Sequence, residues 1–232
     1  MSFNNFGNSF QRSSTAVINL IIINVLVFIT QLMFGGMQVE SRVTDLFALH
    51  HFRSDEFNIY QIITHMFMHG SFMHLLFNMF ALYTFGTMIE RIWGPKRFLI
   101  FYFVCGIGAA LAQLGSYAYE LQVYDKMLMS LDQIIEYQGA LRRNATVGAS
   151  GAIMGVVAAF GYLFPNTEMM IIPIPIPVKA KWAVIGIIAI DLFSGIAGRP
   201  GDNVAHFAHL GGAITGFLIV LFQNRRDKST FY

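Results

Sequence analysis

Ser150 lies in Gly148-Ala149-Ser150-Gly151-Ala152-Ile153-Met154-Gly155, a run of small residues opening an apolar segment that continues to about Phe164. A hydroxyl is a weak nucleophile at its free pKa, so a second side chain must take its proton. His209, within Ala205-His206-Phe207-Ala208-His209-Leu210-Gly211-Gly212, is the candidate base. Gly148, Gly151 and Gly155 in one stretch, with Gly212 and Gly216 in the other, are the small residues that let two helix backbones approach within hydrogen-bonding reach of serine and imidazole. His206, three residues earlier on nearly the same face, competes for the role; the Gly211-Gly212 pair following His209 favours the latter.

These residues sit in a chain built for lipid. Of 232 residues 55% are hydrophobic and 12% charged, with a mean hydropathy of +0.56, against roughly 25% charged in soluble domains. The composition reads as an all-α polytopic membrane protein. A net charge of +2 with no basic stripe argues against nucleic-acid binding. The single cysteine, Cys105, lies within an apolar segment, so the chain forms no internal disulfide. Six segments approach the roughly 20 residues that cross a bilayer: about 16–34, 70–89, 98–118, 147–164, 182–197 and 205–222. The fourth and fifth are short for full spans, and a serine at a buried helix start would face a cavity. Residues 1–15 are polar, with no convincing cleavage site after the first apolar run, so that run is expected to stay as a span; 223–232 form a tail.

Orientation follows the basic residues. With both termini inside, the inner segments hold Arg12, Arg91, Lys96, Arg97, Lys179, Lys181, Arg225, Arg226 and Lys228 against Glu90, Glu168 and Asp227, and the outer segments are net acidic. Both termini are therefore expected in the cytoplasm, with Ser150 and His209 at one depth near the outer face. The long outer loop 35–69 is expected to be partly helical and to lie in the interface. Segment 120–145 has the spacing of an outer amphipathic helix, and the alternating prolines Pro173, Pro175 and Pro177 predict an extended inner connector.

The second span adds His74 and Asn78, four residues apart and thus on one helix face. With Gly148-Ala149-Ser150-Gly151, His209, this His-x-x-x-Asn pair, and the turn carrying Gly86, Glu90, Arg91, Gly94, Arg97 and Phe98, the chain resembles the rhomboid family of intramembrane serine proteases over about 60–222. The resemblance implies a six-span rhomboid-like bundle and an endopeptidase that cuts in or near transmembrane segments. Ser150 would act as nucleophile and His209 as base, with His74, Asn78 and the Ser150 backbone N–H as the oxyanion hole. Its partners would be transmembrane protein substrates and the lipid bilayer, with no metal and no organic cofactor. An inert rhomboid-like protein that binds membrane helices is the alternative.

The chain departs from the family in carrying Tyr60-Gln61 where many members have Trp-Arg ahead of Thr64, Phe67 and His69, and Met154 where an aromatic often packs on the imidazole. His65, His69 and His74 lack the cysteine or carboxylate company of a zinc site; His69 is expected to hydrogen-bond loop backbone. Asp191 is read as a helix-end or cavity-facing polar group, because the family works as a dyad. The loop 196–204, with Gly198, Pro200 and Gly201, is a candidate cap beside lateral entry past the fifth span. Six spans without a mitochondrial-type leader suggest a prokaryotic inner membrane.

Overall fold

The computed structural model describes residues 14–35, 42–125, 145–170, 176–197 and 204–226. The expected N-terminal segment, most of the 120–145 helix, Pro173 and Pro175, the heart of the 196–204 cap and the end of the tail lie outside them. Helix α1 runs Thr15–Gly35, followed by the short α2 (Arg42–Phe47) and α3 (Gln61–Thr64) of the outer loop and a 3-10 turn, His65–Phe67. The second span combines α4 (Phe72–Ala81), a π-helical turn (Leu82–Gly86) and α5 (Thr87–Trp93). After it come α6 (Pro95–Asp125), α7 (Ser150–Leu163), strands β1 (Glu168–Met170) and β2 (Pro177–Lys179), α8 (Ala180–Ala197) and α9 (His206–Arg226).

Among the described residues five stretches are long and apolar enough to cross a membrane: Thr15–Phe34, Phe72–Trp93, Pro95–Tyr119, Ala180–Ala197 and His206–Gln223. The fifth expected span therefore reaches full length. The fourth, α7, has 14 residues, about 21 Å at 1.5 Å per residue, against a hydrocarbon core of about 30 Å. It can be short because lipid barely touches it: every residue from Gly151 to Gly161 is buried. The helix packs against α6, α8 and α9, and Ile153, Val156 and Phe160 join Phe98, Phe101, Tyr102 and Cys105 in the core. The outer helices expose Ile22, Leu26, Phe80, Ile190 and Phe193, a surface that only an apolar solvent tolerates.

Glycine sets the closest approach. A Cβ on Gly212 would overlap the Gly151 carbonyl oxygen, and one on Gly216 the Gly155 carbonyl oxygen. Bare backbone against bare backbone gives α7 and α9 the dispersion contact that stands in for hydrophobic drive within lipid. A second close fit is at the end of α5 away from Ser71. Gly94 adopts φ 79 at the end of α5, where a side chain would be strained, and Pro95, with no N–H to waste, opens α6.

Glu90 ties that end to α1. Its carboxylate, 2% exposed, accepts hydrogen bonds from the Ala16 and Val17 N–H groups, each at 2.9 Å. These are two of the donors that every helix start leaves unpaired, and the negative charge suits the positive end of the helix dipole. Between α7 and α8, β1 and β2 pair antiparallel with Glu168 opposite Lys179, so the proline-rich connector is flanked by the extended backbone its sequence predicts.

Glu90→Ala strands both N–H groups in a buried setting and is expected to destabilise the fold by about 2–4 kcal/mol. Glu90→Gln, which keeps one acceptor oxygen, should lose less. Thermal or denaturant unfolding of the purified protein in detergent measures both.

Candidate active site

Ser150 is the first residue of α7, so its backbone N–H is among those a helix start leaves without an internal acceptor. Gly148, two residues before, adopts φ +125, a conformation side chains rarely take. A Cβ there would stand 2.8 Å from the His74 ring and 3.5 Å from Ser150 Oγ. The glycine thus leaves room for His74 beside the serine. It also keeps the chain bent into the helix.

The outer loop holds this bend in place. Leu49 and Thr146 exchange two backbone hydrogen bonds of 2.9 Å, and the Gly148 N–H donates to the His65 carbonyl at 2.9 Å. The loop itself turns about Gln61, whose buried side-chain oxygen accepts from the Asn58 N–H at 3.1 Å and whose amide donates to the Glu56 carbonyl at 2.8 Å. Further contacts reach the Leu46 carbonyl and the His50 N–H. Gln61 is therefore an internal organiser of the loop, while Tyr60 is exposed. Gln31 fastens the loop to α1 by accepting from the His69 N–H at 3.0 Å and donating to the His69 carbonyl at 3.2 Å.

The His69 ring packs edge-on against His74 at 5.1 Å and has the Phe67 backbone as its hydrogen-bonding neighbour; the His69 main chain makes the firmer tie, to Gln31. His65 also bonds backbone, its Nδ1 lying 2.8 Å from the Gln61 carbonyl.

At the centre, His209 Nε2 lies 2.8 Å from Ser150 Oγ. On the ring's other side Nδ1 is 3.1 Å from Asp191 Oδ1 and 3.2 Å from Oδ2. His206 Nδ1 approaches the same Oδ1 at 2.7 Å. His206 is thus brought to the carboxylate, and His209 to the serine.

Asp191 makes no helix-end contact; it faces His206 and His209 from within α8. It is one of four buried residues on α8, with Ala180, Ala183 and Val184, and it lies two turns beyond Val184 on the same face. That 3.6-residue periodicity was the signal in the sequence that pointed it inward.

On α4, Ser71 caps the helix by accepting from the His74 N–H at 3.1 Å, which fixes the face that His74 and Asn78 share. Asn78 Nδ2 is buried without a hydrogen-bond partner, and a buried donor left unpaired costs about 1–3 kcal/mol. Met154 packs with Ala158, Ala213 and Ile188.

Five long apolar helices around a short buried one, with a serine at its head facing an imidazole, define a multi-pass membrane protein of the rhomboid type. The chain matches the Rhomboid domain over residues 56–226 and belongs to that family. Rhomboid protease AarA of Providencia stuartii is 31% identical over 217 residues, covering 87% of this chain and 70% of AarA. Rhomboid protein 1, mitochondrial, of Saccharomyces cerevisiae is 32% identical over 157 residues, 68% of this chain and 40% of the yeast protein. Rhomboid protease GluP of Bacillus subtilis is 28% identical over 158 residues, 68% of this chain and 25% of GluP.

Burial holds two loop histidines neutral. His65 is pushed down to about 4, and His69 to about 3 by burial and then by the neighbouring His74. Both lie below the ordinary 6.5 of the unfolded chain, so between these limits the unfolded state binds more protons. Their stabilisation is whole above about pH 6.5 and is lost as pH falls towards 4 and then 3. At about 1.4 kcal/mol per unit, the acid loss should reach several kcal/mol. Unfolding midpoints in detergent across this range should fall accordingly, and fall less in His69→Gln.

Proposed function

We propose that the protein is an intramembrane serine endopeptidase, hydrolysing peptide bonds in or near transmembrane segments of other membrane proteins. The observation that carries this reading is the 2.8 Å approach of His209 Nε2 to Ser150 Oγ. His209 takes the hydroxyl proton while Oγ attacks the substrate carbonyl carbon. The tetrahedral intermediate collapses to an acyl-enzyme, and His209 returns the proton to the leaving amine. Water then attacks the acyl carbonyl carbon and gives a proton to His209; as the Oγ–C bond breaks, His209 returns that proton to Ser150 Oγ and the acid is released. This sequence needs neither metal nor organic cofactor.

The oxyanion is assigned to Asn78 Nδ2, the His74 ring and the Ser150 N–H. Support comes from the unpartnered amide of Asn78, from the gap that Gly148 leaves beside His74, and from the helix start at Ser150. AarA and GluP are both named as proteases, which favours an enzyme over an inert helix-binding relative.

A substrate helix must open locally to offer a carbonyl, because a regular helix hides its backbone in its own hydrogen bonds. Segments with helix-breaking or small residues near the cut are the preferred substrates. Entry past α8 is the favoured route, since α8 leaves Trp182, Ile185, Ile190, Phe193 and Ile196 exposed along its outward face. Both termini are placed in the cytoplasm by the basic residues of the inner segments. Relatives named as mitochondrial stand beside the bacterial ones, so a prokaryotic inner membrane rests on the sequence alone.

In lipid vesicles with a labelled transmembrane substrate, Ser150→Ala and His209→Ala are expected to abolish cutting while the fold survives. Asn78→Ala should lower kcat by about 10²–10³-fold with little change in KM. Undiminished cutting by Ser150→Ala would refute the assignment. A wild-type protein that cuts none of several substrates yet retains membrane partners in pull-downs would turn out to be a helix-binding relative instead.

A further inference from the structure

We propose that Asp191 is a positioning residue for the base, making a carboxylate on a third helix part of the machinery that activates Ser150. The proposal rests on the Ser150–His209 reading above and extends it from two side chains to three.

The geometry is that of an imidazole held at both ends. His209 Nδ1 lies 3.1 Å from Asp191 Oδ1 and 3.2 Å from Oδ2, while Nε2 lies 2.8 Å from Ser150 Oγ. An ionised carboxylate only accepts hydrogen bonds, so Nδ1 beside it must carry the proton. Nε2 is then left with its lone pair towards the serine, the one tautomer that can act as base. When Ser150 loses its proton to Nε2, Nδ1 keeps its own and the carboxylate stays ionised. The positive imidazolium is matched by a negative charge in a site where water screens little.

Asp191 is itself held. His206 Nδ1 reaches Oδ1 at 2.7 Å, and the aspartate side chain is only 12% exposed. One carboxylate therefore receives two imidazoles from successive turns of α9, which prevents it from turning away from His209. A role confined to docking α8 on α9 would need the His206 contact alone. The second contact, to the nitrogen opposite the serine, is what assigns Asp191 to the chemistry.

The test uses the full chain in lipid and a fluorophosphonate, which reacts with an activated serine and needs no physiological substrate. Asp191→Asn keeps the shape, but its amide can donate to an unprotonated Nδ1 and so admits the wrong tautomer. It should label about 10²-fold more slowly than wild type. Asp191→Ala should be at least as slow, and Asp191→Glu should recover part of the rate. Histidine ¹⁵N spectra, with the His209 signal assigned by its loss in His209→Ala, should show a protonated Nδ1 in wild type and mixed tautomers in Asp191→Asn.

Docking alone would slow neither labelling nor change the tautomer once folding is verified by thermal unfolding. Full-rate labelling by Asp191→Asn, or an unchanged His209 signal, overturns the proposal. If Asp191→Ala does not fold, the near-isosteric Asn variant decides. Labelling that persists in Ser150→Ala or His209→Ala would instead refute the serine–histidine reading, which keeps the two failures apart.

Discussion

The contact on which the molecule depends is one of backbone on backbone, where Gly151 and Gly155 of α7 meet Gly212 and Gly216 of α9 without side chains between them. In lipid, helices gain little by hiding apolar surface from one another, so packing and short polar contacts must do the joining. Here the same approach that supplies dispersion also brings Ser150 Oγ to 2.8 Å from His209 Nε2. Widening the interface by a methyl group would separate those atoms. Helix packing and the serine–imidazole contact thus rest on the same few glycines.

The outer side of the site is organised by a different principle. Lipid offers no hydrogen bonds, and neither does a packed interior, so the irregular backbone ahead of Ser150 has to find partners within the protein. It finds them in the loop: Leu49 for Thr146 and His65 for Gly148, with Gln61 holding the loop's own turns together. The loop is accordingly the outer wall of the site, and the neutrality of its buried histidines belongs to that role.

Much of this could be read from residue types. Gly148 to Gly155, His209 with its glycine pair, and His74 with Asn78 at helical spacing all pointed to one place, and the structure brings Ser150 to His209 and leaves His74 beside Gly148. The turn after the second span was legible through Gly94 and its neighbours, as part of the family resemblance. What stayed hidden depended on partners distant in sequence. Glu90 caps a helix more than seventy residues earlier, and Gln61 bonds to a set of loop atoms with no period. Asp191 is a different case: its place on the buried face of α8 was in the spacing, but precedent for a dyad outweighed it. The fourth segment was read as short for a full span, and enclosure by neighbouring helices is what lets it be short.

That enclosure makes α7 a ruler whose zero is set by protein. A span bathed in lipid shifts or tilts when the bilayer thickens, since its apolar length must match its surroundings. A helix buried from Gly151 to Gly161 has no such obligation, so the depth of Ser150 is measured from α6, α8 and α9. Moved between membranes of different thickness, the molecule would keep its internal scale, with Ser150 at a fixed place in the protein's own frame.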